Sequence, residues 1–334
     1  MKSKAYVIIS IILLVLSCSK DSSNISTDIG YRINGNTIVV DNSVRQFVGA
    51  NALHSFGVGS SDMPTWNLNI AREFVGNVSE NPIDGFPIQD SNGQFLHSLQ
   101  FIVNDNRSNG LVTVLCPFGW NGQNETLFTG KFPTTTEYWE AFKLKLAEWS
   151  EYFKDQDDVW IEVWNEPYRF DRSDGYTDTI WSNTMTELYN VVRTTGNNNI
   201  VLIPCAEQGQ DESVLNNIGQ TFIANKQNVL FDIHAYEKWL LVDEATISNR
   251  VQTLISNNLP VFFGEVAPVN AGVLMNPEPF LNIIHDNQLS YAAWLWKYDE
   301  TDQDALLTTE GLPNDVNNNN WGTLFRSFGF RPRL

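Results

Sequence analysis

Two glutamates fall where a short apolar run stops and a loop begins. One closes the stretch Trp160-Ile-Glu-Val-Trp-Asn165-Glu166-Pro167, in which Pro167 forces the chain out of a sheet just after two polar residues. The other closes Pro260-Val-Phe-Phe-Gly264-Glu265, where Gly264 leaves room for something to approach the backbone closely. A single glutamate at a loop start is ordinarily a surface residue. Two at the tips of strands that face one pocket form a carboxyl pair able to protonate a departing glycosidic oxygen and attack the carbon it leaves. Further groups fall at comparable places: His234-Ala-Tyr236, Trp294-Leu-Trp296, and Arg72 followed by Glu73. Taken singly, such a histidine is structural and such tryptophans are core. Gathered at one rim, they make the wall of a sugar site.

The frame that would hold these tips is legible as alternation. Short apolar runs at Gln46–Ala50, Leu68–Phe74, Leu111–Pro117, Val159–Trp164, Ile200–Cys205, Val229–His234, Val261–Gly264 and Tyr291–Trp296 predict eight strands. Helical spacing separates several of them, as in Thr135–Phe153, where Trp139, Phe142, Leu146 and Trp149 recur on one face, and in Ile180–Arg193, Glu244–Asn257 and Pro279–Asp286. After the first strand, Gly57, Gly59 and Pro64 predict a loop instead. The fold class expected is α/β, a (β/α)8 TIM barrel in a single domain, because no glycine-rich phosphate turn follows the first strand. An open doubly wound sheet is the alternative. In a barrel the chemistry sits at the C-terminal ends of the strands, where both glutamates fall. Tyr31–Asp41 reads as a β-hairpin turning at Asn34-Gly35 and covering one end of the barrel.

Composition narrows the class of ligand. The 334 residues are 42% hydrophobic and 18% charged, enough for a large core, and 39 acidic against 21 basic side chains give a formal charge of minus 18. That balance excludes a nucleic-acid partner. The 11 tryptophans suit stacking on the flat apolar faces of sugar rings. At the N-terminus, Lys2 and Lys4 precede an apolar run from Ala5 to Leu16, too short to span a membrane and laid out as an export signal. It ends Val15-Leu-Ser-Cys18, which resembles the bacterial lipobox; an ordinary cleavable signal with an incidental cysteine is the other reading. The expected organisation is a lipoprotein signal over 1–18 with lipidation at Cys18, a flexible tether over 19–30, and a catalytic domain over 31–334. Such a protein is anchored at the cell envelope without spanning the membrane, or is secreted if the anchor is absent. The remaining Cys116 and Cys205 sit in different strands with a third between them, so no disulfide and no metal site are expected.

The ordered set Trp164-Asn165-Glu166-Pro167, His234-Ala-Tyr236, Phe263-Gly264-Glu265 and Trp294 resembles glycoside hydrolase family 5, retaining (β/α)8 glycosidases that include cellulases and endo-β-mannanases. The resemblance covers Tyr31 to Phe328. It implies that Glu166 is the acid/base, Glu265 the nucleophile and Asn165 a donor to the sugar 2-hydroxyl. It also implies that Arg72 lies beneath Glu265 and keeps it ionised, that His234 and Tyr236 flank the nucleophile, and that Trp294, with Trp296 beside it, floors the sugar subsite. One departure is the third strand, Val112-Thr-Val-Leu-Cys116-Pro-Phe-Gly-Trp120, which lacks the family's histidine. Phe118 or Trp120 would fill that space, and His54 would supply a polar contact instead. Glu162 alternates onto the same side as Glu166, inside the barrel, where a charge needs a cationic partner.

These readings converge on a cofactor-free, monomeric hydrolase whose partner is a polysaccharide or oligosaccharide. The expected reaction is retaining, endo-acting cleavage of β-1,4 bonds in mannan or glucan, with Trp120, Trp239, Trp294 and Trp296 offering successive aromatic surfaces. An exo-acting β-glycosidase, an inactive glycan-binding lipoprotein and a metal-dependent hydrolase are the competing readings. The intact glutamate pair argues against the second, and four scattered histidines argue against the third.

Overall fold

The computed structural model describes residues 30–333 except 55–56, 123–126, 298–302 and 316–319. The proposed signal, Cys18 and most of the tether therefore lie outside the described residues. Eight parallel strands close into a barrel: β1 (Val48–Ala52), β2 (Ile70–Val75), β3 (Val112–Pro117), β4 (Val159–Glu162), β5 (Val201–Pro204), β6 (Val229–Ala235), β7 (Val261–Val266) and β8 (Ser290–Ala293), with β8 pairing back onto β1. Every residue of these strands is buried, because the barrel interior takes one face and the surrounding helices the other. That double burial explains why the strands read as apolar runs.

The helices α1 (Leu99–Ser108), α2 (Trp139–Phe153), α3 (Asp178–Thr194), α4 (Ser213–Ile223), α5 (Glu244–Ser256), α6 (Glu278–Asp286) and α7 (Trp321–Gly329) run outside. Each lays a stripe on the barrel; α2 buries Trp139, Phe142, Leu146, Trp149 and Phe153. The sequence pattern picks out α2, α3, α5 and α6 but not α1, α4 or α7. The glycine-rich stretch after β1 is a loop that includes a short 3-10 turn, Met63–Trp66. β8 stops at Ala293 rather than Trp296. Among the described residues, no helix is long and apolar enough to cross a membrane.

Inside the barrel, alternation stacks the side chains in layers. The lowest is apolar, built from Ile70, Val112, Val114, Trp160, Leu202, Leu230 and Phe262. The N-terminal hairpin plugs the barrel beneath it: Tyr31–Asn34 pairs with Thr37–Val40, Gly35 takes a left-handed φ of 60° in the turn, and a short third strand, Ser43–Val44, extends the sheet. Ile38 joins the apolar layer, and the rings of Tyr31 and Phe47 meet Trp160 edge-on at 5.8 and 5.1 Å. Below this plug lies a cavity of about 750 Å³, lined by the hairpin and by the segments that lead into β4 to β7. The next position along β2, β4 and β6 is charged: Arg72, Glu162 and Asp232. The candidate site begins there.

Candidate active site

Arg72 is fully buried at the barrel's centre, and its guanidinium is shared among strands far apart in sequence. Nε and Nη2 donate to the two carboxylate oxygens of Glu162 at 2.7 and 2.6 Å, Nη1 donates to Glu265 Oε1 at 2.7 Å and Asn51 Oδ1 at 2.9 Å, and Nη2 donates to Asn165 Oδ1 at 2.9 Å. Asp232 Oδ2 lies 3.5 Å away. The cation that Glu162 requires is thus Arg72, bound in the bidentate geometry that arginine alone provides. Asp232 also explains Gly264. Its Oδ1 accepts the Gly264 N–H at 2.7 Å, and a Cβ at position 264 would stand 2.3 Å from that oxygen. The close approach expected at Gly264 is made by this carboxylate.

Above Arg72 stand the two strand-tip glutamates. Glu265, on β7, accepts a hydrogen bond from the Tyr236 hydroxyl at 2.5 Å in addition to that from Arg72. Glu166 follows β4 in a two-residue strand that pairs with Thr129–Lys131. His234 on β6 lies between them, with Nδ1 2.8 Å from Glu166 Oε1 and 3.5 Å from Glu265 Oε2. The two glutamates each bring an oxygen within 4.8 Å of the other. Both line a cavity of about 280 Å³ with Asn165, Tyr236, Phe118 and Trp294, whose rims add the side-chain amides of Gln208, Gln210 and Asn270.

Four carboxyl groups, one guanidinium and one imidazole in so dry a cluster cannot all be ionised with the histidine neutral. Protons must be held. Burial, with Glu265 adding to it, raises the pKa of Glu166 despite the opposing hydrogen bond from His234. Burial likewise pushes Glu162 up to about 8 against the pull of Arg72. For His234, burial favours the neutral ring, but the Glu265, Asp232 and Glu166 carboxyls outweigh it and raise its pKa well above the usual value. The two differ in their surroundings: Glu166 keeps its proton more readily than a free carboxyl, and Glu265 accepts hydrogen bonds from Arg72 and Tyr236.

Of the residues expected at the sugar, Asn165, Glu166, Tyr236, Glu265 and Trp294 line the cavity. Trp294 is partly exposed and meets Phe74 edge-on at 4.9 Å, and Phe118, just past the end of β3, also lines the cavity. Six residues expected at the sugar need correction. Arg72 and His234 are fully buried and act on the carboxyls, so neither is placed to touch a sugar. Trp296 is 1% exposed and packs against Trp66, because β8 has ended and its ring turns into the core. Trp120 stacks on Tyr138 at 5.3 Å and is absent from the cavity wall. Trp239 is buried under the Arg250 guanidinium. His54 is clamped between Glu73 and Asp105, 2.9 Å from each, behind the barrel wall. Asp232, Asn51, Thr129 and the three rim amides were not anticipated. Asp232 had a signal, since it lies two residues before His234 and shares its inward face. Gln208 and Gln210 lie on a loop and Asn270 in a two-residue strand, neither long enough in regular structure to show a period.

The model of the cellulase family, glycosyl hydrolase family 5, matches residues 60–300. The chain belongs to glycosyl hydrolase family 5. This family member is 24% identical over 157 residues to a mannan endo-1,4-beta-mannosidase of Salipaludibacillus agaradhaerens, a match covering 46% of this chain and about half, 49%, of the relative's length. Its fold resembles the catalytic domain of a mannanase from Streptomyces sp. SirexAA-E, with a TM-score of 0.68, 16% identity, and 95% and 94% of the two chains covered. It also resembles a β-mannanase from Streptomyces thermolilacinus solved with mannohexaose, with a TM-score of 0.67, 17% identity, and 89% and 95% covered. Family membership and a closed barrel agree with the fold class read from the strand pattern.

Proposed function

We propose that this family 5 glycosyl hydrolase cleaves internal β-1,4 bonds of a linear hexose polymer with net retention, and that the polymer is mannan. The observation that carries this is the separation of Glu166 and Glu265. Retaining pairs stand ~5 to 5.5 Å apart and inverting pairs ~6.5 to 9.5 Å, and only the shorter span lets one carboxylate reach the anomeric carbon itself. Glu265 attacks that carbon while Glu166 donates its proton to the departing oxygen. Water then enters on the vacated side, loses a proton to Glu166, and releases the sugar from Glu265. Asn165 has its Oδ1 turned to Arg72, so its Nδ2 faces outward to donate to a sugar hydroxyl in place of its present partner, Thr129 Oγ1 at 3.0 Å. Trp294 supplies the apolar face under the ring. Mannan is favoured by what the similar proteins are named for; glucan is the second reading, favoured by the family's own name. Digestion of both polymers by the Tyr31–Leu334 fragment, with proton NMR of the first-formed anomer, tests this. Oligosaccharides appearing first as the β-anomer are expected; an initial α-anomer, or release of monosaccharide alone, would overturn it.

We also propose, from Val15-Leu-Ser-Cys18, that the enzyme is held at the cell envelope by a lipid on Cys18. Cys18→Ser is expected to move it from the membrane fraction to the soluble fraction. A wild-type chain that is soluble and unlipidated by mass spectrometry would end the proposal.

A further inference from the structure

Beside the catalytic cavity lies a second one of about 500 Å³, and the two share Thr129 and Gln208. It opens on the Glu166 side. Thr129 stands opposite Glu166 in the short strand pair, and the Gln208 N–H donates to the Pro167 carbonyl at 3.1 Å. An acid that protonates a departing oxygen has the departing sugar beyond it, so this side of the cleft receives the leaving group.

Gln208 reaches that junction on an unfavourable backbone. Glu207, Gln208 and Gly209 take successive left-handed φ values of 55°, 54° and 77°, a conformation that only glycine adopts freely and that other residues keep only where their surroundings enforce it. Here the enforcement is visible. The Glu207 carboxylate, 4% exposed, accepts from Arg172, from Lys238 and, at 2.9 Å, from the Tyr176 hydroxyl. Two glycines clear the way: a Cβ on Gly209 would stand 2.7 Å from the His234 ring, and one on Gly130 would stand 3.0 Å from Gln208 Nε2. The Gln208 carboxamide has no hydrogen-bond partner among the described residues, leaving two donors and an acceptor at the junction.

We infer that Gln208 binds the first leaving-group sugar, and that Glu207, clamped by Arg172, Tyr176 and Lys238, is the positioning residue that presents it. The inference rests on the glycosidase reading above. Its test compares two substrates: a β-1,4-linked pentasaccharide of mannose or glucose, whose leaving group is a sugar, and the matching 4-nitrophenyl disaccharide, whose phenolate leaves without a sugar contact. Gln208→Ala is expected to lower kcat/KM on the pentasaccharide about 5- to 10-fold, the loss of one hydrogen bond or somewhat more, while the aryl substrate stays within about twofold. Glu207→Gln is expected to give the same split more weakly; if that variant fails to fold, Gln208→Ala decides alone. Equal losses on both substrates, or no loss on either, would overturn the inference while leaving the glycosidase reading standing. Wild-type enzyme inactive on both classes of substrate would overturn both.

Discussion

The two ends of the barrel both carry cavities, and the smaller one holds the paired glutamates. Below the hairpin plug, about 750 Å³ is lined by four asparagines, Asn198, Asn199, Asn228 and Asn258, yet those amides that bond are spent on backbone. Asn199 Nδ2 donates to the carbonyls of Phe153, Gln156 and Val159, while Asn228 accepts from the Ile33 N–H and donates to the Asn198 carbonyl. They tie the hairpin and the loops together. At the opposite end, about 280 Å³ holds two carboxyls, the Gln208 amide, which has no hydrogen-bond partner among the described residues, and a partly exposed indole above a buried charge cluster. Volume does not distinguish the two ends. Polar groups left unspent above desolvated charge do.

The contrast would break most visibly at the glutamates. Glu166→Gln and Glu265→Gln should each cut turnover by about 100- to 10,000-fold with little change in melting temperature, since each removes a chemical role and almost no volume. A variant within tenfold of wild type would remove that residue from the mechanism. Next comes Arg72→Met, which leaves Glu162 and Glu265 without their cation. Urea unfolding should show a loss of about 3–5 kcal/mol, and activity should fall as well; a stable variant would mean that the cluster had neutralised itself by taking up protons.

A smaller effect sharpens the comparison within the upper half. His54 is also a buried imidazole between carboxyls, but it is not part of the wall of the cavity that holds the glutamates. Burial lowers its pKa, and Glu73 and Asp105 more than restore it, to about 9. A histidine whose folded pKa exceeds its unfolded value stabilises fully below about pH 6.5 and loses that contribution as pH rises to about 9. Roughly 3 kcal/mol is at stake, and His54→Gln should flatten the stability profile across that window while kcat is unchanged. At the lower end, Asn228→Ala should cost about 1 kcal/mol and leave kcat within twofold. A tenfold drop in kcat would show that the larger cavity matters to catalysis after all.

The strands and the juxtaposition of the two strand-tip glutamates were legible because both obey a period. Burial on both faces makes an apolar run, the barrel puts its chemistry where the run stops, and Pro167 and Glu265 mark those stops. Glu162's need of a cation followed from alternation alone. The misplaced aromatics show where that reasoning ends: Trp120, Trp239 and Trp296 lie near strand tips, but loop packing rather than strand register decides which way they turn. His54 lies three residues beyond Asn51, the last inward-facing position of β1, so continued alternation puts it on the outer face with Ala52. Gln208 lay beyond reach for another reason, since nothing in the order of Glu207, Gln208 and Gly209 announces three left-handed residues.

Arg72 also bears on how the chain reaches its native state. Its partners at positions 51, 162, 165, 232 and 265 span more than two hundred residues, and each strand that brings one must be in place before the guanidinium is satisfied. A partly assembled barrel would have to desolvate uncompensated charge, so water should remain at its centre until the ring closes. On refolding, secondary structure should return before activity, and the interval between them would time the drying of that centre.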